Sequence, residues 1–240
     1  AGAVANVYGF AKAGYFVFEA PSFDPDMAFD LRQALSGRIL RGLNGAAEQV
    51  DIVVTALALQ TEAAVLDEVE PHYRLSLADL EVPVGRSALR PAHSGDLDLL
   101  TDWRMASEVE ILGGSDNPEN RAYARAGLQE LLAADRLRLL EEEGRPVAMT
   151  NFNAALPEIV QVGGVYTPPD LRGLGHARRA VALHLDEARK SGVKEAILFA
   201  ANPAAARAYE AIGFVQIGGY RIVNFDPGIT LGETQLGELS

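Results

Sequence analysis

Cysteine is absent from the 240-residue chain. That excludes disulfides, thiolate-held metals and covalent catalysis through a protein thiol. A reducing cytoplasm fits such a chain, and no metal is expected in its chemistry. No apolar run approaches the ~18 residues of a membrane span, so no membrane partner is expected. The opening residues, Ala1-Gly2-Ala3-Val4, lack a basic leader, and no secretory signal is read there. Basic residues are the minority, 21 Lys and Arg against 33 Asp and Glu, for a formal charge of −12. A nucleic-acid partner would require a basic patch or stripe, so none is expected. The acidity keeps the protein soluble, and it is also compatible with steering a cationic amine toward a site. Internal repeats and low-complexity tracts are missing too.

What is present centres on residues 162–181, VGGVYTPPDLRGLGHARRAV. Val162, Val165, Tyr166 and Thr167 favour a strand. Pro168-Pro169 ends it, because neither residue can donate a ladder hydrogen bond. Ala177, Ala180, Val181, Leu185 and Ala188 then recur at helical spacing up to Gly192, a helix-stop residue. The small residues between strand and helix let backbone N–H groups approach a ligand, and the helix N-terminus behind them favours an anion. The stretch therefore reads as a diphosphate cradle. A phosphate loop of nucleotide hydrolases needs Gly-Lys, and the chain contains no such pair. A dinucleotide fingerprint needs a third glycine where Arg178 stands.

Arg172-x-x-Gly175-x-Ala177 resembles the Gln/Arg-x-x-Gly-x-Gly/Ala signature of the GCN5-related N-acetyltransferase (GNAT) family. Downstream, Asn202-Pro203-Ala204-Ala205-Ala206-Arg207-Ala208-Tyr209-Glu210-Ala211-Ile212-Gly213-Phe214 resembles that family's Asn-x-x-Ala-x-x-x-Tyr-x-x-x-Gly-Phe segment. One helix and one strand separate the two motifs, as in the family. The resemblance covers roughly residues 86–225. It implies an α/β chain of the α+β type, with a mixed sheet in the GNAT acyltransferase fold. It also implies acetyl-coenzyme A as co-substrate and a small-molecule or peptide amine as acceptor.

Along the chain, residues 1–85 read as a smaller α/β accessory domain and 86–240 as the GNAT domain. Val82-Pro83-Val84-Gly85 is the linker between them. The first domain opens with a hairpin through Tyr15–Phe18, followed by a helix from Asp26 to Leu35. Val50–Leu57 is β-rich, although Thr55–Leu66 could extend as helix. This domain could be a degenerate half related to the second, and it could cap the acceptor site or build a homodimer. In the second domain a strand at Ala88 precedes two helices, a hairpin turning at Glu143-Gly144-Arg145, the cradle strand and helix, and then strand, helix (Pro203–Ile212) and strand.

Acetyl transfer to an amine requires a held donor, a neutral amine and a stabilised leaving thiolate. For the donor, backbone N–H groups of Gly173, Leu174, Gly175, His176, Ala177 and Arg178 are the expected diphosphate contacts, with Leu171 leading into them. Arg172 and Arg178 could add positive charge. By resemblance, Val165, Tyr166 and Thr167 face the pantetheine arm like a neighbouring strand, and Asn202, a helix N-cap, touches it as well. Tyr209 shares a helical face with Ala205 and Ile212 and so points inward. The family implies that it acts as general acid toward the departing sulfur. A non-catalytic acyl-coenzyme A sensor is the alternative, and an acyl group longer than acetyl is also open. No general base is assigned. Glu108, Glu110 and Glu158 are candidates, whereas Ile197–Ala201 lacks the carboxylate that many relatives place there.

Overall fold

The computed structural model describes residues 4–59, 61–112 and 115–232. Its elements, in chain order, begin with β1 (Val7–Phe10), β2 (Tyr15–Glu19), α1 (Ala28–Leu35), β3 (Ile39–Ala46), α2 (Ala47–Ala56) and β4 (Leu66–Ser76). There follow β5 (Ala88–Pro91), α3 (Leu97–Leu112), α4 (Pro118–Ala133), β6 (Leu137–Glu142), β7 (Arg145–Ala155) and β8 (Ile159–Tyr166). The last are α5 (His176–Lys190), β9 (Glu195–Phe199), α6 (Pro203–Glu210) and β10 (Val215–Thr230). Among the described residues, no helix is long and apolar enough to cross a membrane.

The chain forms two compact units. One runs to Pro71 and resumes at Gly218, and the other is His72–Ile217. The sequence reading placed a single cut at residue 85; here the chain leaves its first unit earlier and returns to it at the end. The last part of β10 pairs antiparallel with β3, Tyr220 opposite Ala46, which is why the C-terminal strand belongs with the first unit. There β1 and β2 form the expected hairpin, and β2 runs parallel to β3. Val50–Leu57 is not a strand. Val50, Val53 and Leu57 are buried while Ile52 is exposed, so the apolar side chains are used at helical spacing in α2 and its end. Packing of that stripe on Phe16, Phe18 and Leu43 overrides the β preference of Val and Ile.

In the second unit the strand order is β4-β9-β8-β7-β6-β5. All neighbouring pairs are antiparallel except β8 and β9, which are parallel. The hairpin between β6 and β7 turns on Glu143 and Gly144, both at positive φ (51° and 76°), as a two-residue turn of this hand requires. Both faces of this sheet are covered. Leu137, Leu139 and Met149 pack with Leu97, Leu100 and Leu128 of α3 and α4. On the other face, Leu140 and Ala148 meet Ala180 of α5. Alternation along β6 sends these side chains to opposite faces, and Arg138 follows Leu140 by bonding Glu187 of α5 at 2.9 Å.

Two features of this sheet shape the site. The parallel register of β8 and β9 covers only Ile159–Gln161 against Glu195–Ile197, so the strands part company beyond it. In addition, β8 carries an irregular register against β7 around Gly163 and Gly164. Gly164 has φ +55°, and a Cβ there would lie 1.7 Å from Oδ1 of the buried Asn151. No other residue type fits that position without displacing Asn151.

Candidate active site

The cradle is built as the local sequence dictates. The strand β8 ends at Tyr166, Pro168 and Pro169 forbid its continuation, and a single 3-10 turn spans Pro169–Leu171. Gly175 then caps α5 in the left-handed region (φ 82°), without a side-chain capping bond. The first helical bond runs from the Arg179 N–H to the Gly175 carbonyl (3.0 Å). The preceding N–H groups of the first turn are therefore available to an anion, with the helix dipole behind them.

One cavity of about 580 Å³ collects the site. Val165, Tyr166 and Thr167 line it from β8. Leu171 and Arg172 lead into the cradle, which contributes Gly173, Leu174, Gly175, His176, Ala177 and Arg178. Asn202 and Tyr209 line it from α6. Every residue expected from the sequence to hold the cofactor, and Tyr209, thus borders the same space; of the three carboxylates considered as base, Glu110 alone does. Five further lining residues went unassigned: Ser107 on α3, and Ala204, Ala205, Arg207 and Ala208 on α6. The alanine spacing after Asn202 carried a signal for the helical wall, since small side chains on one face leave room beside it. Nothing in the local pattern distinguishes Arg207 from a solvated surface cation.

The side chains divide into committed and free groups. Arg172 donates from Nε to the Thr167 carbonyl (3.0 Å) and forks onto both Glu110 oxygens (2.7 Å each). Its guanidinium also lies over the Tyr166 ring, 5.7 Å from the centroid. Arg172 was expected to place charge near a phosphate; here its side chain is shared between the Thr167 carbonyl and Glu110. All three of its nitrogens are employed in tying the cradle to β8 and α3. Glu110, considered as a base, is held below the usual carboxylate range by its hydrogen bonds from Arg172. Glu158 pairs with Lys194, which likewise lowers its pKa, and it does not line the cavity. Glu108 bonds Arg104 (2.7 Å).

Tyr209 is 7% exposed and packs edge-on to Phe214, centroids 6.1 Å apart. Burial pushes its phenol up to about 12, because the ionised form would lose its hydration. The hydroxyl has no hydrogen-bond partner in the protein among the described residues, so it can be given to a ligand. Asn202 accepts from the N–H groups of Ala204 and Ala205 (3.1 and 2.9 Å), which leaves its amide NH2 for the cavity. His176 is buried, with Nε2 3.9 Å from Glu142, so its side chain serves the junction with β6.

A helix start with open N–H groups, parted parallel strands and a buried phenol are here joined in one span of chain, and residues 97–214 match the acetyltransferase (GNAT) family. This span is a GNAT acetyltransferase domain. As such the protein is an acyltransferase, and its GNAT domain lies wholly within the His72–Ile217 unit. Solved structures share the fold. A GCN5-related N-acetyltransferase from Kribbella flavida superposes with a TM-score of 0.62 at 19% identity, covering 88% of this chain and 80% of that one. An acetyltransferase from the GNAT family of Colwellia psychrerythraea gives 0.58 at 16%, covering 93% and 82%. A GCN5-related N-acetyltransferase from Sphaerobacter thermophilus gives 0.57 at 14%, covering 95% and 77%. At such identities the likeness is one of fold. No curated protein matches the chain.

Proposed function

We propose that the protein transfers the acetyl group of acetyl-coenzyme A to a primary amine, by direct attack within a ternary complex. The observation that carries this reading is the convergence of the free cradle N–H groups and the Tyr209 hydroxyl on one cavity. The chain's residues fit the co-substrate. The first turn of α5 would hold the diphosphate. The end of β8, no longer paired with β9, would offer its backbone to the pantetheine amides as a neighbouring strand does. The Asn202 amide would take a further contact on the arm.

Tyr209 would direct its hydroxyl at the sulfur as the thioester C–S bond breaks and the amine nitrogen bonds the acetyl carbon. Glu110 is engaged by Arg172 and Glu158 stands outside the cavity, so neither takes the amine's proton. That proton passes to water reaching the open side of the site. The unit outside His72–Ile217 contributes none of the lining residues, and it serves as an accessory to the catalytic domain.

Calorimetry with acetyl-coenzyme A, followed by a panel of small amines, amino acids, aminoglycosides and peptides, tests the proposal. Binding together with acetylation of at least one class supports it. Absence of binding ends it, and binding without turnover of any amine would make the protein an acyl-coenzyme A sensor.

A further inference from the structure

Tyr209 stands on a short element. Helix α6 has eight residues, too few to keep an orientation by their own hydrogen bonds. The Asn202 cap fixes its start. Its end is held by residues from far earlier in the chain. Tyr73, on β4, donates its hydroxyl to Oε1 of Glu210 at 3.0 Å. Glu81 donates its backbone N–H to the Ile212 carbonyl (3.2 Å). Gly213, at φ 103°, lies so near the segment after β4 that a Cβ there would sit 2.8 Å from the Asp79 carbonyl oxygen.

Tyr73 is itself firmly held. It is buried, stands opposite Leu198 of β9, and packs in one core cluster with Tyr209, Ile212 and Phe214. Burial, and then the hydrogen bond to Glu210, push its phenol above the ordinary range, so it remains the donor. It does not line the cavity, and any effect on the reaction must pass through α6. Glu210 is exposed and next to Tyr209, about 100° further round the helix, so its bond sets the rotation of α6 about its axis. A helix with its side chains is about 5–6 Å in radius, so a rotation of about 10° moves a side-chain tip by about 1 Å. A displacement of that size costs a reaction up to roughly 10²-fold in rate.

We propose that Tyr73 is a positioning residue, whose hydrogen bond to Glu210 fixes the rotation of α6 and so aims the Tyr209 hydroxyl into the cavity. The inference rests on the reading of Tyr209 as the group that meets the departing sulfur. Tyr73 lies ahead of residues 97–214, so the tie is supplied by chain outside the span that carries the family's motifs.

The test is a kinetic cycle of Tyr73→Phe, Tyr209→Phe and the double variant, assayed by thiol release from acetyl-coenzyme A with an amine found to be a substrate. Melting curves and calorimetry with coenzyme A accompany each protein. Tyr73→Phe should lower kcat about tenfold, the size of one charge-assisted hydrogen bond, and leave coenzyme A affinity within about twofold. On the Tyr209→Phe background it should lower kcat by less than about twofold, because no hydroxyl remains to be aimed. Glu210→Ala removes the acceptor at an exposed position and should reproduce both results, also where Tyr73→Phe fails to fold. An unchanged kcat in these variants overturns the proposal. So does an equal fall on both backgrounds, the mark of a purely structural role. If Tyr209→Phe alone keeps the wild-type kcat, the reading of Tyr209 falls and this proposal with it. A wild type that binds no coenzyme A removes the cofactor reading instead.

Discussion

Replacing Tyr209 with Phe removes one oxygen and leaves the rest of the ring against Phe214. In the folded protein the phenol's pKa of about 12 lies roughly 3.5 pH units above the ~8.5 of a free thiol. Full proton transfer to the leaving thiolate is therefore uphill by about 5 kcal/mol, at about 1.4 kcal/mol per pH unit. A hydrogen bond to the developing sulfur charge is the affordable interaction, and loss of one such donor lowers kcat by roughly 10²–10³. Steady-state assays of thiol release, with an amine found to be a substrate, should show that drop with the KM for acetyl-coenzyme A little changed. The same reasoning gives a pH profile. The phenol stays protonated well past its ordinary value of about 10, so wild-type kcat should show no tyrosine-linked fall between about pH 8 and 11. A Phe variant within fivefold of wild type would refute the assignment, and so would a wild-type fall in kcat centred near pH 10 that Tyr209→Phe abolishes.

Three other outcomes follow from particular contacts. His184 is buried, stacked on Phe152 at 3.7 Å, and burial, with Arg138 nearby, lowers its pKa to about 3. The unfolded chain takes up that proton near pH 6.5, so stability is intact above that value and falls as pH drops toward 3, by up to about 1.4 kcal/mol per pH unit. Denaturant unfolding of His184→Gln should show a shallower acid slope than wild type, and parallel slopes would contradict this. Gly164→Ala puts a methyl into the Asn151 amide at positive φ and should cost about 2 kcal/mol or more, read as a lower melting temperature. Glu110→Gln should lower kcat by less than about tenfold and leave the acid limb of the pH profile in place, since an Arg-bound carboxylate is a weak base. Loss of that limb would reinstate Glu110 as the base.

The motifs were legible because their geometry is local. A strand stopped by two prolines, a glycine at positive φ and a helix with an apolar stripe determine the cradle within about fifteen residues, as the neighbours of Gly175 show. Asn202 before Pro203 likewise announces its helix, and the Tyr209 face follows from helical spacing alone. Val50–Leu57 was misread because a short apolar run suits strand or helix equally until something packs on it. The ion pair of Arg172 was out of reach for a related reason. Its partner Glu110 is 62 residues away, and no spacing rule reaches that far. The early parting of β8 from β9, and the return of β10 to the first unit, also required the assembled sheet. By itself, then, the sequence determined the turns, caps and stripes that make an anion cradle beside an inward-facing phenol. Tertiary structure alone decided which charges remain free to meet a ligand, because a side chain's commitments are set by neighbours that only folding brings within reach.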